Sequence, residues 1–297
     1  MDFLKFAAID IGSNAVRLLI TDAQEYTNGT RFKKISLIRV PLRLGVDVFV
    51  HKEISPYNEK RLIKTLLGFK NLMEAFEVIN FKACATSAMR EAKNGEYIVA
   101  HIKKKTGIDL EVISGKDEAE ILYSTKIADV LDPGKSYLYV DVGGGSTEVT
   151  LFSKGKIITS HSFTIGTIRI LSGQVTNSDW VFLRSWVKAH TIENQPVEII
   201  GSGGNIIKLH KLLNKKEKET IYTPELRELY RYIKSFTVDE RIDVLKLNPN
   251  RADVIVPAAK IFLTVMKASN SRKIHVPRIG IADGLIHQLY ESYKLKL

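Results

Sequence analysis

Between Tyr137 and Phe152 the chain reads Tyr-Leu-Tyr-Val-Asp141-Val-Gly-Gly-Gly-Ser-Thr-Glu148-Val-Thr-Leu-Phe. An apolar β-rich run delivers one acid, then three glycines and two hydroxyls, then a second acid before another β-rich run. Without Cβ atoms at Gly143, Gly144 and Gly145, backbone N–H groups can approach an anion closely. Ser146 and Thr147 add hydroxyl donors, and Asp141 and Glu148 offer hard oxygens to a divalent cation or a water. Taken alone, such a segment reads as an ordinary β-hairpin with a glycine turn. Two features turn the reading toward phosphate and metal chemistry: the bracketing acids and a second copy of the pattern.

That copy is Phe6-Ala-Ala-Ile-Asp10-Ile-Gly12-Ser-Asn-Ala-Val-Arg17-Leu-Leu-Ile20. It again runs strand, Asp, x, Gly, small polar residues, strand, so Gly12, Ser13 and Asn14 become candidates for a phosphate and Asp10 a further candidate metal ligand. Arg17 lies among apolar residues, where a guanidinium is costly unless it meets a fixed anion. On an alternating strand it reads equally well as an exposed-face arginine.

The elements that would position these loops also occur twice. After the first loop come a β-rich run, Ile35 to Leu44, a hairpin signal at Asn28-Gly29, and a helix from Glu59 to Phe76. After the second come Lys156 to Ile165 and a helix from Asp179 to Ala189. Each half then has an apolar strand followed by small polar residues and a helix: Phe81-Lys-Ala-Cys-Ala85 with Thr86-Ser87, and Val197-Glu-Ile-Ile200 with Gly201-Ser-Gly-Gly204. This β-β-β-α-β-α order, met twice, predicts a duplicated α/β fold of two five-strand domains around a cleft, with the two loops facing each other across it. The stretch Leu42 to Val50 reads as loop, and Arg251 to Ala268 as one helix that Pro257 kinks or marks on its solvent side.

Composition sets outer limits. A chain of 297 residues with 44% hydrophobic and 26% charged content fits a soluble two-domain protein. No apolar run has the length of a membrane helix, no signal pattern opens the chain, and the lone Cys84 excludes a disulfide framework. A cytoplasmic location without membrane partners is expected. The net charge of +11 favours polyanions, yet basic–aromatic, zinc-finger and basic-zipper signatures are absent, so no specific nucleic-acid partner is expected. Oligomeric state stays open, a homodimer included.

Two further segments carry candidates. Ser87 reads as a helix N-cap that puts Arg90 on the first turn, where a helix already attracts anions. Ser114 and Asp117 fit a capping box, so Asp117, Glu118 and Glu120 all fall early in one helix and read, on spacing alone, as acids favoured by its dipole.

Five co-linear segments resemble the exopolyphosphatase/guanosine pentaphosphate phosphohydrolase (Ppx/GppA) family. They are Asp10-x-Gly-Ser-Asn14, Ala85-Thr-Ser-Ala-x-Arg-Glu-Ala-x-Asn-Gly95, Ile113-Ser-Gly-x-Asp-Glu-Ala119, Asp141-x-Gly-Gly-Gly-Ser-Thr-Glu148 and Arg251-Ala-Asp-Val-Ile255. The resemblance implies the actin-like, sugar-kinase and heat-shock ATPase (ribonuclease H-like) fold. It implies domains at 1–127, joined by the helix 283–297, and at 128–282. By it Glu118 takes the place of the family's catalytic base, while Asp141, Gly143, Ser146 and Glu148 fall on its phosphate- and magnesium-binding loop. Arg17 and Arg251 look like its substrate-phosphate arginines, and Arg90 and Gly203 join the phosphate side. Asn205 stands where the family often has Thr, Gly280-Ile-Ala-Asp-Gly284 lacks the arginine of a similar family segment, and a short two-domain form is expected.

The implied reaction is magnesium-assisted hydrolysis of the terminal phosphate of inorganic polyphosphate, with Glu118 orienting the water. Guanosine pentaphosphate presents the same terminal phosphoanhydride, so the catalytic motifs do not separate the two substrates. A superfamily kinase or ATP-driven switch, and a non-catalytic binder of polyphosphate or nucleotide, are the readings from other classes.

Overall fold

The structure is a computed structural model that describes residues 4–26, 29–123, 125, 132 and 134–295. In chain order the strands and helices are β1 Leu4–Ile11, β2 Val16–Tyr26, β3 Gly29–Val40, α1 Leu44–His51, α2 Pro56–Ala75, β4 Asn80–Ala85, α3 Ser87–Glu91, α4 Gly95–Thr106, β5 Leu110–Val112 and α5 Gly115–Tyr123. These are followed by β6 Ser136–Val142, β7 Thr147–Ser153, β8 Lys156–Phe163, α6 Thr167–Leu171, α7 Asn177–Thr191, β9 Val197–Ser202, α8 Gly204–Leu212 and β10 Ile221–Tyr222. Last come α9 Thr223–Ser235, α10 Val238–Asp243, α11 Pro249–Ala252, α12 Ile255–Ala268, β11 Lys273–His275 and α13 Ile281–Lys294. Two compact units result, Met1–Lys126 with Gly280–Leu297, and Ile127–Ile279.

The first unit is built on a sheet of order β3-β2-β1-β4-β5, the second on one of order β8-β7-β6-β9-β11-β10. In both, the first three strands pair antiparallel and the next two join parallel to them. The repeated order is the duplicated, ribonuclease H-like topology of the actin-like fold. The second sheet gains a sixth strand, β10, whose two residues pair antiparallel with β11; a run that short has no sequence signal.

Local chemistry explains most boundaries. In α2, Ser55 is an extended N-cap whose Oγ accepts from the Asn58 N–H, with Pro56 at the first helical position. Asp47 Oδ2 fixes that start by accepting from the Ser55 N–H, the Ser55 hydroxyl and Asn58 Nδ2 at 2.9, 2.6 and 2.8 Å. Leu62, Leu66, Phe69 and Met73 then form its buried stripe. The second core joins Leu138, Val140, Val149, Leu151 and Ile199 of the sheet to Leu183 and Val187 of α7 and to Ala258, Phe262 and Val265 of α12.

Three expectations need correction. Leu42 to Val50 is not all loop: β3 stops at Val40, and α1 starts after Arg43, which takes a left-handed conformation at φ 58°. The region 251–268 is two helices; Asp253 and Val254 separate them, and buried Pro257 sits in the first turn of α12, where a missing N–H costs no helical bond. The N-cap of α3 is Thr86, not Ser87, because the Ser87 hydroxyl is committed to Ser13 Oγ at 2.8 Å. Arg90 is the fourth residue of this five-residue helix. Of the Asn28-Gly29 signal, Asn28 lies outside the described residues, and Gly29 has φ 126°.

One ion network at the start of β9 yields a pH prediction. Glu198 accepts from Lys135, Lys273 and His275 at 3.2, 3.1 and 2.5 Å. Its burial opposes ionisation, but hydrogen bonds from His275, Lys273 and Lys135 outweigh that and bring its pKa from 4.5 down to about 2. A carboxylate lowered in this way stabilises the fold above its unfolded pKa, and the contribution is lost as pH falls from about 4.5 toward 2. We expect Glu198→Gln to remove about 3 kcal/mol at most at neutral pH and to flatten the acid limb of a Tm-against-pH curve in that window. An acid limb identical to that of the parent would dismiss the network as a stabilising device.

Candidate active site

Each unit carries its glycine loop at the C-terminal end of its central strand, and the two loops fold alike. In the first, the Gly12 N–H donates to the Ala15 carbonyl at 3.1 Å; in the second, the Gly143 N–H donates to the Ser146 carbonyl at 3.0 Å. The carbonyls are held from behind. Ser13 and Asn14 accept from the N–H groups of Gly45 and Arg43 at 2.8 and 3.0 Å. Gly143 accepts from Thr167, and Gly144 from Ile168 and Arg169, at 3.0, 2.8 and 3.1 Å. With the carbonyls so engaged, the N–H groups of Ser13, Asn14, Gly144 and Gly145 meet no acceptor among the described residues, which is the polarity an anion needs. The approach of α6 to the loop is close enough that a Cβ on Gly166 would lie 2.3 Å from the Gly144 oxygen.

Strand register sets the side chains. Asp141 lies directly opposite Glu148 on β6 and β7, and Asp10 directly opposite Arg17 on β1 and β2. The duplicated positions thus hold two acids in one unit and an acid with a base in the other. Arg17 Nη1 reaches Asp10 Oδ2 at 2.5 Å, so the fixed anion beside this arginine is Asp10. Glu148 is buried and accepts from Ser162 Oγ at 2.9 Å; Asp141 accepts from Ser202 Oγ at 3.3 Å. A Cβ on Gly203, at φ 93°, would come within 2.9 Å of Asp141 Oδ1, so both conformation and space select glycine there. Arg251 Nη1 donates to the Gly204 carbonyl, which brings its guanidinium to the same loop. Ser146 is buried, and the wholly buried Thr147 turns its hydroxyl to the Ile165 carbonyl at 2.6 Å.

In the first unit, Asp10 and Cys84 are register partners at the ends of β1 and β4. The Cys84 thiol is pushed well up, first by burial and then by the nearby charges of Asp10 and Glu118. The three acids that begin α5 separate by environment. Asp117 is exposed and closes the capping box: it accepts from the Ser114 N–H at 2.7 Å, and its own N–H donates to Ser114 Oγ at 3.2 Å. Those Ser114 bonds hold its carboxyl below the usual range. Glu120 is exposed beside Lys116 at 3.8 Å. Glu118 is 4% exposed, with Arg90 Nη1 3.6 Å from its Oε1. Arg90 is itself anchored by donating to the Ile113 carbonyl at 2.5 Å. The segment Gly280 to Gly284 fixes α5 by packing, since a Cβ on Gly284 would lie 2.1 Å from the Ile121 oxygen.

Sequence reasoning missed two buried arginines. Arg169 Nε donates to the Gly145 carbonyl at 2.8 Å and braces the second loop. Arg241 donates from Nε to Ile233 and from Nη1 to Ala252, at 2.8 and 3.0 Å, and so holds the residue next to Arg251. A cation inside the apolar run Thr167-Ile-Arg-Ile-Leu171 was the signal for the former; the latter sits in an ordinary charged helix and gave none.

For a divalent ion, the second unit offers Asp141 and Glu148 as facing carboxylates. One or two carboxylates, with waters and substrate phosphates completing the shell, is the donor set magnesium prefers, so these residues fit it. In the first unit Arg17 already neutralises Asp10, which makes that copy the poorer cation site.

Exopolyphosphatase 1 of Mycobacterium tuberculosis is 24% identical over an alignment covering 97% of this chain and 89% of the relative. The solved Ppx/GppA family member of Aquifex aeolicus superposes with a TM-score of 0.79 at 25% identity, covering 98% of this chain and 99% of that one. An exopolyphosphatase structure from Cytophaga hutchinsonii shares the fold with a TM-score of 0.84 at 24% identity, covering 97% and 98%. The sequence model of the Ppx/GppA phosphatase family matches residues 23–293, and the chain belongs to that family.

Proposed function

We propose that this protein is an exopolyphosphatase that releases the terminal phosphate of inorganic polyphosphate with magnesium, Glu118 orienting the attacking water. Family membership makes it a hydrolase of phosphoanhydrides; the choice of polymer, the metal and the residue roles are our reading. The observation that carries it is the separation of Glu118 from its neighbours. Asp117 caps a helix and Glu120 faces solvent, whereas Glu118 is buried with the Arg90 guanidinium 3.6 Å from its Oε1. A buried acid of this kind has no capping duty and suits a base that must hold a water.

The loop N–H groups supply the second requirement, since phosphoryl transfer depends mainly on positioning and on neutralising charge. In this reading Ser13, Asn14, Gly144 and Gly145 donate to phosphate oxygens, and Arg251 and Arg17 add charge. Bound magnesium, held by Asp141 and Glu148, supplies electrostatic stabilisation of the phosphates.

The arginines give a prediction with two different signatures. Arg251→Ala is expected to raise KM about 10- to 100-fold, the loss of a charge-assisted contact worth roughly 1.5–3 kcal/mol. Arg17→Ala is expected to raise KM and also lower Tm, because it leaves the buried Asp10 carboxylate without its cation. Unchanged KM in both variants would return the two arginines to structural duty.

The substrate is tested by following phosphate release from polyphosphate, guanosine pentaphosphate and ATP in parallel, with and without magnesium. Magnesium-dependent release from polyphosphate is expected. Release from guanosine pentaphosphate alone would make the protein the other phosphohydrolase of the family, and ATP consumption that depends on an added acceptor would make it a kinase. Tight, salt-sensitive binding without turnover would leave it a binder.

A further inference from the structure

The second unit carries a basic groove that the proposed chemistry does not use. It runs between α7 and α12 as two adjoining depressions of about 510 and 390 Å³ that share Arg184 and Lys267. Lys188 and Lys260 are the other lining cations, and no acid lines either depression among the described residues. Arg184, Lys188 and Lys267 have no carboxylate partner within 4.0 Å among the described residues. Lys260 lies 4.7 Å over the Trp180 ring, a contact that leaves its charge available to an anion.

Ordinary helix chemistry accounts for only part of this. Lys188 and Lys267 sit in the last turns of their helices, where a cation favours the dipole. Arg184 and Lys260 do not, and Arg184 with Lys188 is a like-charge i,i+4 pair, an arrangement that weakens a helix. No acid occurs anywhere in α12. Two carbonyls at the groove end are engaged: Gln195 Nε2 donates to Thr191 and Ser269, at 3.2 and 2.9 Å. A face that concentrates like charge and quenches its own carbonyls is suited to an anionic occupant.

We propose that this groove is a second binding site for inorganic polyphosphate, holding the chain at a distance from the phosphate loops. The polymer is taken from the exopolyphosphatase reading, on which the proposal rests. Along α12, Lys260 and Lys267 are about 10 Å apart at 1.5 Å per residue, which suits a linear polyanion better than a single phosphate. The lining offers one ring, Tyr230, whereas single-stranded nucleic acid is held by stacking successive bases on several. Gln195 precedes β9, while Gly203 follows it, so the strand itself separates groove and loop by about 20 Å. A second foothold raises the effective concentration of a long substrate without altering the chemistry.

The test uses the full chain carrying R184Q, K188Q and K267Q together, all on exposed positions. Binding of labelled long-chain polyphosphate and of single-stranded RNA is titrated at several salt concentrations, and KM and kcat are measured on long-chain polyphosphate and on tripolyphosphate. We expect at least about a 10-fold loss of affinity for the long chain, with a log–log salt slope flatter by about 2. KM for the long chain should rise in step, while kcat and the tripolyphosphate KM stay at parental values. A K188R/K267R protein should keep the affinity, which separates loss of charge from loss of fold. Unchanged long-chain binding in the folded triple variant overturns the groove, as does RNA binding tighter than polyphosphate that the three changes abolish. Absence of phosphate release by the parent protein would defeat the hydrolase reading instead, and the binding titration would still decide the groove.

Discussion

Glu118→Gln is expected to lower kcat by roughly 10²–10⁴-fold while the protein stays folded and still binds polyphosphate. The substitution keeps size and hydrogen bonding but removes the carboxylate that would hold a water and take its proton. As a mere helix-dipole acid, Glu118 would contribute about 0.3–1 kcal/mol to stability and nothing to turnover. Its two neighbours serve as controls because the structure gives each a different task. Asp117→Asn weakens the capping box with Ser114, and Glu120→Gln loosens an exposed contact with Lys116, so both should leave kcat within a few-fold of the parent. Near-normal turnover by Glu118→Gln under saturating substrate and magnesium would remove it from the mechanism and direct the search for the base to Glu148 or Asp141.

The second large effect is expected at the facing carboxylates. Asp141→Asn and Glu148→Gln each remove a hard anionic oxygen from one side of the register pair. We expect each to weaken magnesium activation by at least about 10- to 100-fold, with part of the rate restored at high magnesium. The two variants should differ in stability. Glu148 is buried and bonded to Ser162, while Asp141 is half-buried with Ser202 as a longer contact, so the glutamate change disturbs the fold more. Unaltered magnesium titrations for both variants would place the metal elsewhere.

Much of the fold was legible because strands here are apolar runs ending in glycine or small polar residues, and because the pattern occurs twice. The hidden parts have identifiable physical causes. Leu44 to His51 holds Gly45, three valines and Phe49, a composition that favours strand over helix, and the turn that starts the helix needs a left-handed Arg43 that no motif announces. Asp253 and Val254 interrupt what periodicity joins into one helix. Within the site, spacing could not rank Asp117, Glu118 and Glu120, since all three suit a helix start. In the structure the three differ in burial and partners. The Thr147 hydroxyl was an equal partner of Ser146 in sequence, yet its bond to Ile165 depends on where β8 ends. Likewise the pairing of Arg17 with Asp10 is a matter of register, which becomes visible only when β1 and β2 are aligned.

Attack of water on the terminal phosphorus is the centre of the account, and isotopic labelling of the product tests it most directly. Polyphosphate is hydrolysed in ¹⁸O-water with magnesium, and the first orthophosphate released is analysed by mass. The account predicts one solvent oxygen in each released phosphate and a polymer that shortens from its end. Phosphate free of solvent oxygen, or shorter polyphosphates appearing by internal cleavage, would contradict it.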